Sequence, residues 1–246
     1  RVVCTQLQQI DSSAALIWAC KGFEADSAQL PHSVVAEAAP RFAQRGVLSG
    51  PSFAQEVAAG KPAALTIAAD NARFALDIAA ALSSQRLRVY SSTDVVGVEL
   101  GGAIKNVMAI AAGISDGMAL GHNARAALIT RGLAEMSRLA IELGGQSETL
   151  MGLTGLGDLI LTCTGELSRN RRVGFELGQG ERLPEILRRL GHVAEGVSTA
   201  REVVKLARQH QVDMPISQAV HAVLYEGLAP QRALQELMGR DVKSET

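Results

Sequence analysis

The sequence predicts an α/β unit followed by an all-α unit, and three observations predict it. Over residues 1–92 short apolar runs alternate with helical stretches, whereas over residues 93–246 the periodic segments have helical spacing and no convincing strand is found. Between the two, around Tyr90–Thr93, Ser91 and Asp94 stand at the spacing of a helix capping box, with aspartate in place of the usual glutamate.

The elements follow in order. Ala14–Cys20 is a continuous apolar run bounded by Asp11-Ser12-Ser13 and Lys21-Gly22, which reads as a buried parallel strand. A helix is expected around Ser33–Ala43, a brief strand at Gly46–Ser49, and a turn or helix start at Gly50-Pro51-Ser52. Ala63–Ala69 reads as a strand, Asn71–Ser83 as an alanine-rich helix capped by Asp70 or Asn71, and Leu87–Tyr90 as the last strand. This alternation implies a parallel sheet with crossover connections. Helices are then expected at Asp94–Ile114, at Asn123–Leu143 with Asn123 as cap and Gly144-Gly145 as stop, and at Leu183–Leu190, Ser198–His210, Pro215–Tyr225 and Pro230–Met238. Seven prolines, mostly at helix starts, agree with these boundaries. The tail Asp241–Thr246 is polar enough to fray.

At 246 residues and 47% hydrophobic content the chain can build a sizeable core. A net charge of −1, spread along the chain, lacks the basic stripe of a nucleic-acid binder, and 3% aromatic content argues against stacking platforms for single strands. Three widely spaced cysteines without a CxxC pair suit reduced thiols in a cytoplasmic protein. The apolar runs are interrupted well before the roughly 20 residues a membrane span needs, and no signal-peptide pattern opens the chain. Five histidines lack HExxH or paired-cysteine context, so no metal is expected, and GxSxG and GxxxxGK[ST] are both missing.

Four segments could carry chemistry. In ELGGAIKN (Glu99–Asn106), Leu100, Ala103, Ile104, Val107, Met108 and Ala111 form one helical face. Lys105 lies off it, on a stripe with Gly97, Gly101, Ala109 and Ala112. Each helical glycine costs roughly 1 kcal/mol against alanine, so two on one stripe imply close approach of a backbone or ligand. Lys105 is then either an ammonium snorkelling out of a core helix or a group held for acid/base work. In GLTGLGDLILTC (Gly152–Cys163), Asp158 between a glycine-rich turn and an apolar run either caps a helix Leu159–Thr164 or pairs with Lys105 and tunes it. SRNRRVG (Ser168–Gly174) offers a hydroxyl, an amide and three guanidinium groups, which suit a phosphate dianion or an ordinary solvated loop. SGPSFAQE (Ser49–Glu56) adds backbone N–H groups at a helix start.

With CKGFE (Cys20–Glu24) and VAEGV (Val193–Val197), these strings occur in an order that resembles the bacterial-type NAD(P)-dependent glycerol-3-phosphate dehydrogenases over nearly the whole chain. The resemblance implies the C-terminal part of a Rossmann-like parallel-sheet domain over 1–92 and a helical, 6-phosphogluconate dehydrogenase-like substrate domain over 93–246. It implies interconversion of sn-glycerol 3-phosphate and dihydroxyacetone phosphate with NAD or NADP, for glycerophospholipid synthesis. Lys105 would be the general acid/base and Asp158 its orienting partner, both also touching substrate. Ser168, Arg169 and Asn170 would hold the substrate together with Lys21, Gly50 and Ser52. Lys21, Ala54, Arg169, Val193 and Glu195 would meet the dinucleotide. A homodimer without nucleic-acid partner or membrane insertion is the expected assembly. The family's opening GxGxxG unit does not occur in these 246 residues, so the sequence reads as starting downstream of it, without the adenine and pyrophosphate contacts, and weak dinucleotide binding by this stretch alone is the expectation. Another helical-domain dehydrogenase, of 6-phosphogluconate or hydroxyacid type, and a non-catalytic helical binding or oligomerisation module are the alternatives; the SRN segment after GLGDL favours the first reading.

Overall fold

The structure, a computed structural model, describes residues 1–8 and 14–241. The Asp11–Ser13 boundary and the tail beyond Asp241 lie outside the described residues. The α/β part runs α1 (Val2–Leu7), β1 (Leu16–Trp18), α2 (Pro31–Ala38), β2 (Arg45–Ser49), α3 (Ala54–Ala58), β3 (Ala63–Ala68), α4 (Ala72–Leu82) and β4 (Leu87–Ser92). The helical part follows as α5 (Val95–Gly117), α6 (Gly121–Glu142), α7 (Ser147–Leu150), a π-helical turn at Leu153–Gly157, α8 (Asp158–Thr164) and α9 (Arg169–Gly178). It continues through α10 (Leu183–Leu190), α11 (Glu195–Gln209), α12 (Pro215–Tyr225) and α13 (Pro230–Met238).

The sheet order is β1-β2-β3-β4. β1 is parallel to β2 and β3 to β4, as the crossover pattern predicts. β2 and β3 are antiparallel, with Val47 opposite Ala68, which corrects the expectation of an all-parallel sheet. The reason is length. The five residues of α3 rise about 7.5 Å, too little to carry the chain back along a strand of five residues at roughly 3.3 Å each. The eleven residues of α4 rise about 16 Å and do return the chain, so β4 enters parallel to β3.

Several boundaries also move. α2 ends at Ala38 rather than residue 43 because Pro40 drives Ala39 out of the helical region, to φ −141 and ψ 53. Ser91 lies in β4, and Asp94 is itself the cap of α5, accepting from the Gly97 N–H at 2.8 Å, so the capping-box reading is replaced by a single-residue cap. α6 starts at Gly121, leaving Asn123 inside the first turn instead of at the cap. Gly144 does end α6, at φ +86, while the Gly145 N–H closes onto Ala140 O at 2.7 Å. Asn71 caps α4 through Phe74 N at 3.0 Å. α11 begins one turn earlier than expected, at Glu195. The SRNRRVG stretch is not a loop but the first part of α9, with Ser168 as its cap.

α5 is the axis of the helical part. From Val95 to Gly113 every residue but Val96 is buried, so no solvent-facing stripe exists and the glycines serve contacts on all sides. α5 is long and apolar enough to cross a membrane, but that stretch is 94% buried inside the protein, which makes it a core helix. Gly113 lies against the Arg171 carbonyl and Gly174 against the Ile110 carbonyl: a Cβ at either would come within 2.0 Å of those oxygens. α5 and α9 therefore cross backbone to backbone. The large core of Leu100, Ile104, Met108, Met136, Leu159 and Val203 packs α6, α8, α9 and α11 around the same helix.

Candidate active site

Lys105 projects from the middle of α5 into the core and is 6% exposed, which rules out the snorkelling reading. Its ammonium donates to Asp158 Oδ1 at 2.5 Å and to Thr162 Oγ1 at 3.0 Å. The π-helical turn brings Asp158 here: Gly101 of α5 lies against its Thr154 carbonyl, where a Cβ would approach to 2.6 Å. Only a glycine lets this turn sit directly on α5 and aim the first residue of α8 at Lys105. Asp158 is the first helical residue, not a side-chain cap.

The second Asp158 oxygen is taken by Lys21, whose ammonium lies 2.7 Å from Oδ2 and 3.3 Å from the Gly50 carbonyl. Two lysines from opposite parts of the chain thus share one buried carboxylate. The Lys105 pKa is lowered, to about 8, chiefly by burial; Asp158 opposes the shift and Lys21 reinforces it. Thr162 Oγ1 donates to the Asp158 carbonyl at 2.6 Å, so its lone pair is turned toward the ammonium.

Lys21 follows β1 and Gly50 and Ser52 follow β2, so the site opens at the carboxyl ends of the two parallel strands, where open α/β sheets bind ligands. Gly50 has φ +133, in the region that favours glycine, and its carbonyl accepts from both Lys21 and Ser52 Oγ, each at 3.3 Å. Ser49 Oγ is buried there without a hydrogen-bond partner among the described residues, against Gly102 of α5.

A second network adjoins Lys105 through its neighbour Asn106. Asn106 Nδ2 donates to Glu195 Oε2 at 3.3 Å and Asn106 Oδ1 accepts from Asn170 Nδ2 at 3.0 Å. Asn170 Oδ1 in turn accepts from the Gly196 N–H at 2.9 Å, which ties the start of α9 to the start of α11. Ser168 is buried, with Oγ accepting from Arg171 N at 3.2 Å and its O–H left to donate. The three arginines differ. Arg171 is bound by Asp116 at 2.7 Å and Arg172 by Glu176 at 3.0 Å, whereas Arg169 is exposed and has no side-chain hydrogen bond or ion pair among the described residues. Val193 is 71% exposed just before α11, and Ala54 is exposed at the start of α3 without a hydrogen bond into either network.

The structure thus joins Lys21, Gly50, Ser52, Lys105 and Asp158 in one cluster and Asn170 and Glu195 in the adjoining one. Ser168 and Arg169 stand at the start of α9 beside Asn170, while Ala54 and Val193 join neither network by a hydrogen bond. Sequence reasoning missed Thr162 and Asn106. Both left a signal: Thr162 is four residues after Asp158 on a helix, and Asn106 is next to Lys105 in the same string.

The family described as NAD-dependent glycerol-3-phosphate dehydrogenase N-terminus matches residues 1–75, and its C-terminus counterpart matches residues 94–235. The glycerol-3-phosphate dehydrogenase (NAD(P)+) of Aromatoleum aromaticum is 58% identical over 246 residues, 100% of this chain and 75% of its own length. That of Nitrosospira multiformis is 60% identical over 230 residues, 94% of this chain and 69% of its own length. The crystal structure of glycerol-3-phosphate dehydrogenase from Coxiella burnetii superposes with a TM-score of 0.92 at 47% identity, covering 97% of this chain and 73% of that one. By both its sequence and its fold, the chain belongs to the NAD-dependent glycerol-3-phosphate dehydrogenase family.

Proposed function

We propose that the chain is an oxidoreductase that interconverts sn-glycerol 3-phosphate and dihydroxyacetone phosphate with NAD or NADP, supplying glycerophospholipid synthesis. The observation that carries this reading is the buried Lys105 ammonium, held on Asp158 and Thr162 with its pKa lowered to about 8. A lysine so tuned is charged at neutral pH and still gives up its proton readily. Residues 1–92 are assigned to the dinucleotide-binding part and residues 93–246 to the substrate and catalytic part.

When bound, the nicotinamide dinucleotide supplies or accepts the hydride at the substrate's central carbon. The residues present suit its nicotinamide side: an unpartnered buried Ser49 hydroxyl at the strand ends, the amide and carboxylate of Asn106 and Glu195, and the exposed apolar Val193. Lys21, Ala54 and Arg169 complete that assignment. In the reducing direction Lys105 donates a proton to the substrate oxygen as negative charge develops there, and in the oxidising direction it takes the proton back. Its positive charge stabilises that oxygen throughout the transfer. Asp158 fixes the ammonium and offsets part of its desolvation, and Thr162 fixes its direction.

The phosphate belongs at the start of α9. Arg169 has a guanidinium free for a bidentate contact, Ser168 has an O–H to donate, and the first-turn N–H groups of the helix favour an anion. Asn170 and Asn106 present amides beside Lys105, while Lys21, Gly50 and Ser52 close the pocket from the α/β side. A cytoplasmic location is supported by Cys4, Cys20 and Cys163 all being free thiols, and a homodimer is the assembly to be tested by sedimentation.

The test is direct. The purified enzyme is given dihydroxyacetone phosphate with NADH or NADPH, and loss of nicotinamide absorbance is followed, with 6-phosphogluconate and short hydroxyacids tested in the oxidising direction. Turnover of dihydroxyacetone phosphate is expected. Turnover of one of the other substrates, with none on dihydroxyacetone phosphate, would overturn the reading.

A further inference from the structure

Glu99 opens the ELGGAIKN string, and the reaction just described gives it nothing to do. It is nonetheless a carboxylate only 5% exposed, and both its oxygens are engaged. Oε1 accepts from Trp18 Nε1 at 2.8 Å and from the His32 N–H at 2.9 Å, and Oε2 lies 2.5 Å from His32 Nδ1. These partners come from the end of β1 and the first turn of α2, so a side chain of α5 grips the α/β part at both ends of the Cys20–Leu30 segment. Trp18 stands three residues before Lys21, and Glu99 six residues before Lys105 on α5. Between them, Gly102 admits the Lys21 stem, whose Cγ and Cδ would lie 3.5 Å from a Cβ at that position.

We propose that Glu99 is the positioning residue that joins the Trp18 end of β1 to α5 and so holds Lys21 on the Asp158 oxygen opposite Lys105. A buried carboxylate is expensive unless its hydrogen bonds are satisfied, and the fixed length of this one sets the distance between two elements that otherwise meet only through packing. His32 makes the joint sensitive to pH. Its pKa is raised by the Glu99 hydrogen bond, burial opposes the shift, Asp70 after β3 favours the charged form and Arg45 of β2 disfavours it; the Cys20 thiol is pushed up by burial and then by the Glu99 charge.

The inference rests on the dehydrogenase reading, and the test separates the two. Glu99→Ala, Glu99→Gln and wild type are compared for dihydroxyacetone phosphate reduction and for emission of Trp18, the one tryptophan of the chain. Glu99→Ala should raise KM by about tenfold or more, leave kcat within about threefold, and shift the emission. Glu99→Gln, which keeps an acceptor for Trp18 and for the His32 N–H, should restore KM to within about threefold of wild type. The pH step in Trp18 emission set by His32 should move to lower pH in Glu99→Gln, because the charge that raises the His32 pKa is gone. A folded Glu99→Ala enzyme with unchanged KM, or one that loses only thermal stability, would overturn the proposal. Should Glu99→Ala not fold, Trp18→Phe removes one bond of the joint alone; a KM raised about threefold supports the proposal and an unchanged KM overturns it. If wild type itself fails to reduce dihydroxyacetone phosphate, the dehydrogenase reading falls, and the emission comparison still decides whether Glu99 holds β1.

Discussion

Replacing Lys105 by methionine keeps an unbranched apolar stem on α5 and removes only the ammonium. The size of the effect follows from what that ammonium touches and from what remains. A general acid contributes about 10²–10⁴ in rate, and a donor aimed at a developing oxyanion about 10²–10³. Both roles fall on the same nitrogen, so kcat should drop by about 10³–10⁵, or about 4–7 kcal/mol in the barrier. Lys21 cannot take over, because its ammonium is fixed on the other Asp158 oxygen and on the Gly50 carbonyl. That same contact protects the fold: Asp158 keeps a cation at 2.7 Å, so the variant escapes the penalty of an unpaired buried charge. Initial rates of dihydroxyacetone phosphate reduction give kcat and KM, and circular dichroism checks the fold; KM should stay within a few-fold of wild type. Asp158→Asn should show a smaller loss. Because Asp158 holds the Lys105 pKa up, its pH profile should move to the acid side. The double variant should lose less than the product of the single losses, since both act on one proton. A folded Lys105→Met enzyme with kcat within tenfold of wild type would refute the reasoning.

Three further predictions concern other parts of the structure. Arg169→Ala should cost about 1.5–3 kcal/mol of kcat/KM on dihydroxyacetone phosphate and far less on unphosphorylated dihydroxyacetone. Arg171→Ala, which removes one of the two arginines, with Arg125, that pair with Asp116, should lower stability and leave the preference for the phosphate intact; equal losses on both substrates for Arg169→Ala would show that it is not a phosphate ligand. Glu135 is buried against the first turn of α12, accepting from Ile216 N at 2.6 Å, and burial raises its pKa to about 7. The folded chain then holds a proton that the unfolded chain has lost, so this contribution to stability is full below the ordinary carboxyl value and disappears as pH rises through about 7. Glu135→Gln should flatten that dependence, as read by thermal melts across pH. Gly174→Ala puts a methyl group 2.0 Å from the Ile110 carbonyl and should destabilise by about 1–3 kcal/mol or more. By pushing α9 off α5 it should also weaken substrate binding, and unchanged melting and KM would argue against the backbone-to-backbone crossing.

Much was legible in the sequence wherever the deciding forces act within a few residues. Asn71 capping α4, proline in the first turns of α10, α12 and α13, and glycine ending α6 are local rules, and the structure follows them. Pro40 was an equally local signal that the expected helix over Ser33–Ala43 ignored. The two glycines on the Lys105 stripe, Gly97 and Gly101, pointed to close approach without naming the neighbours. Gly97 meets the Asp94 side chain that caps its own helix, whereas Gly101 meets the π-helical turn at Leu153–Gly157, some fifty residues away, and no periodicity announces it.

What only the tertiary structure decided is convergence. Lys21 and Asp158 are 137 residues apart, Lys105 and Asp158 53, Asn106 and Asn170 64, and Glu99 and His32 67. The choice among three neighbouring arginines was of the same kind, since Arg171 and Arg172 are set aside by carboxylates on α5 and on α9 itself. By itself the sequence determined the α/β-then-α order, the ends of α4, α10, α12 and α13 and which short strings were chemically unusual, because backbone propensity and capping act over about four residues. The shared carboxylate, the antiparallel turn of the sheet and the lowered lysine pKa belong to the packed molecule, because burial and charge pairing depend on which distant segments α5 gathers around itself.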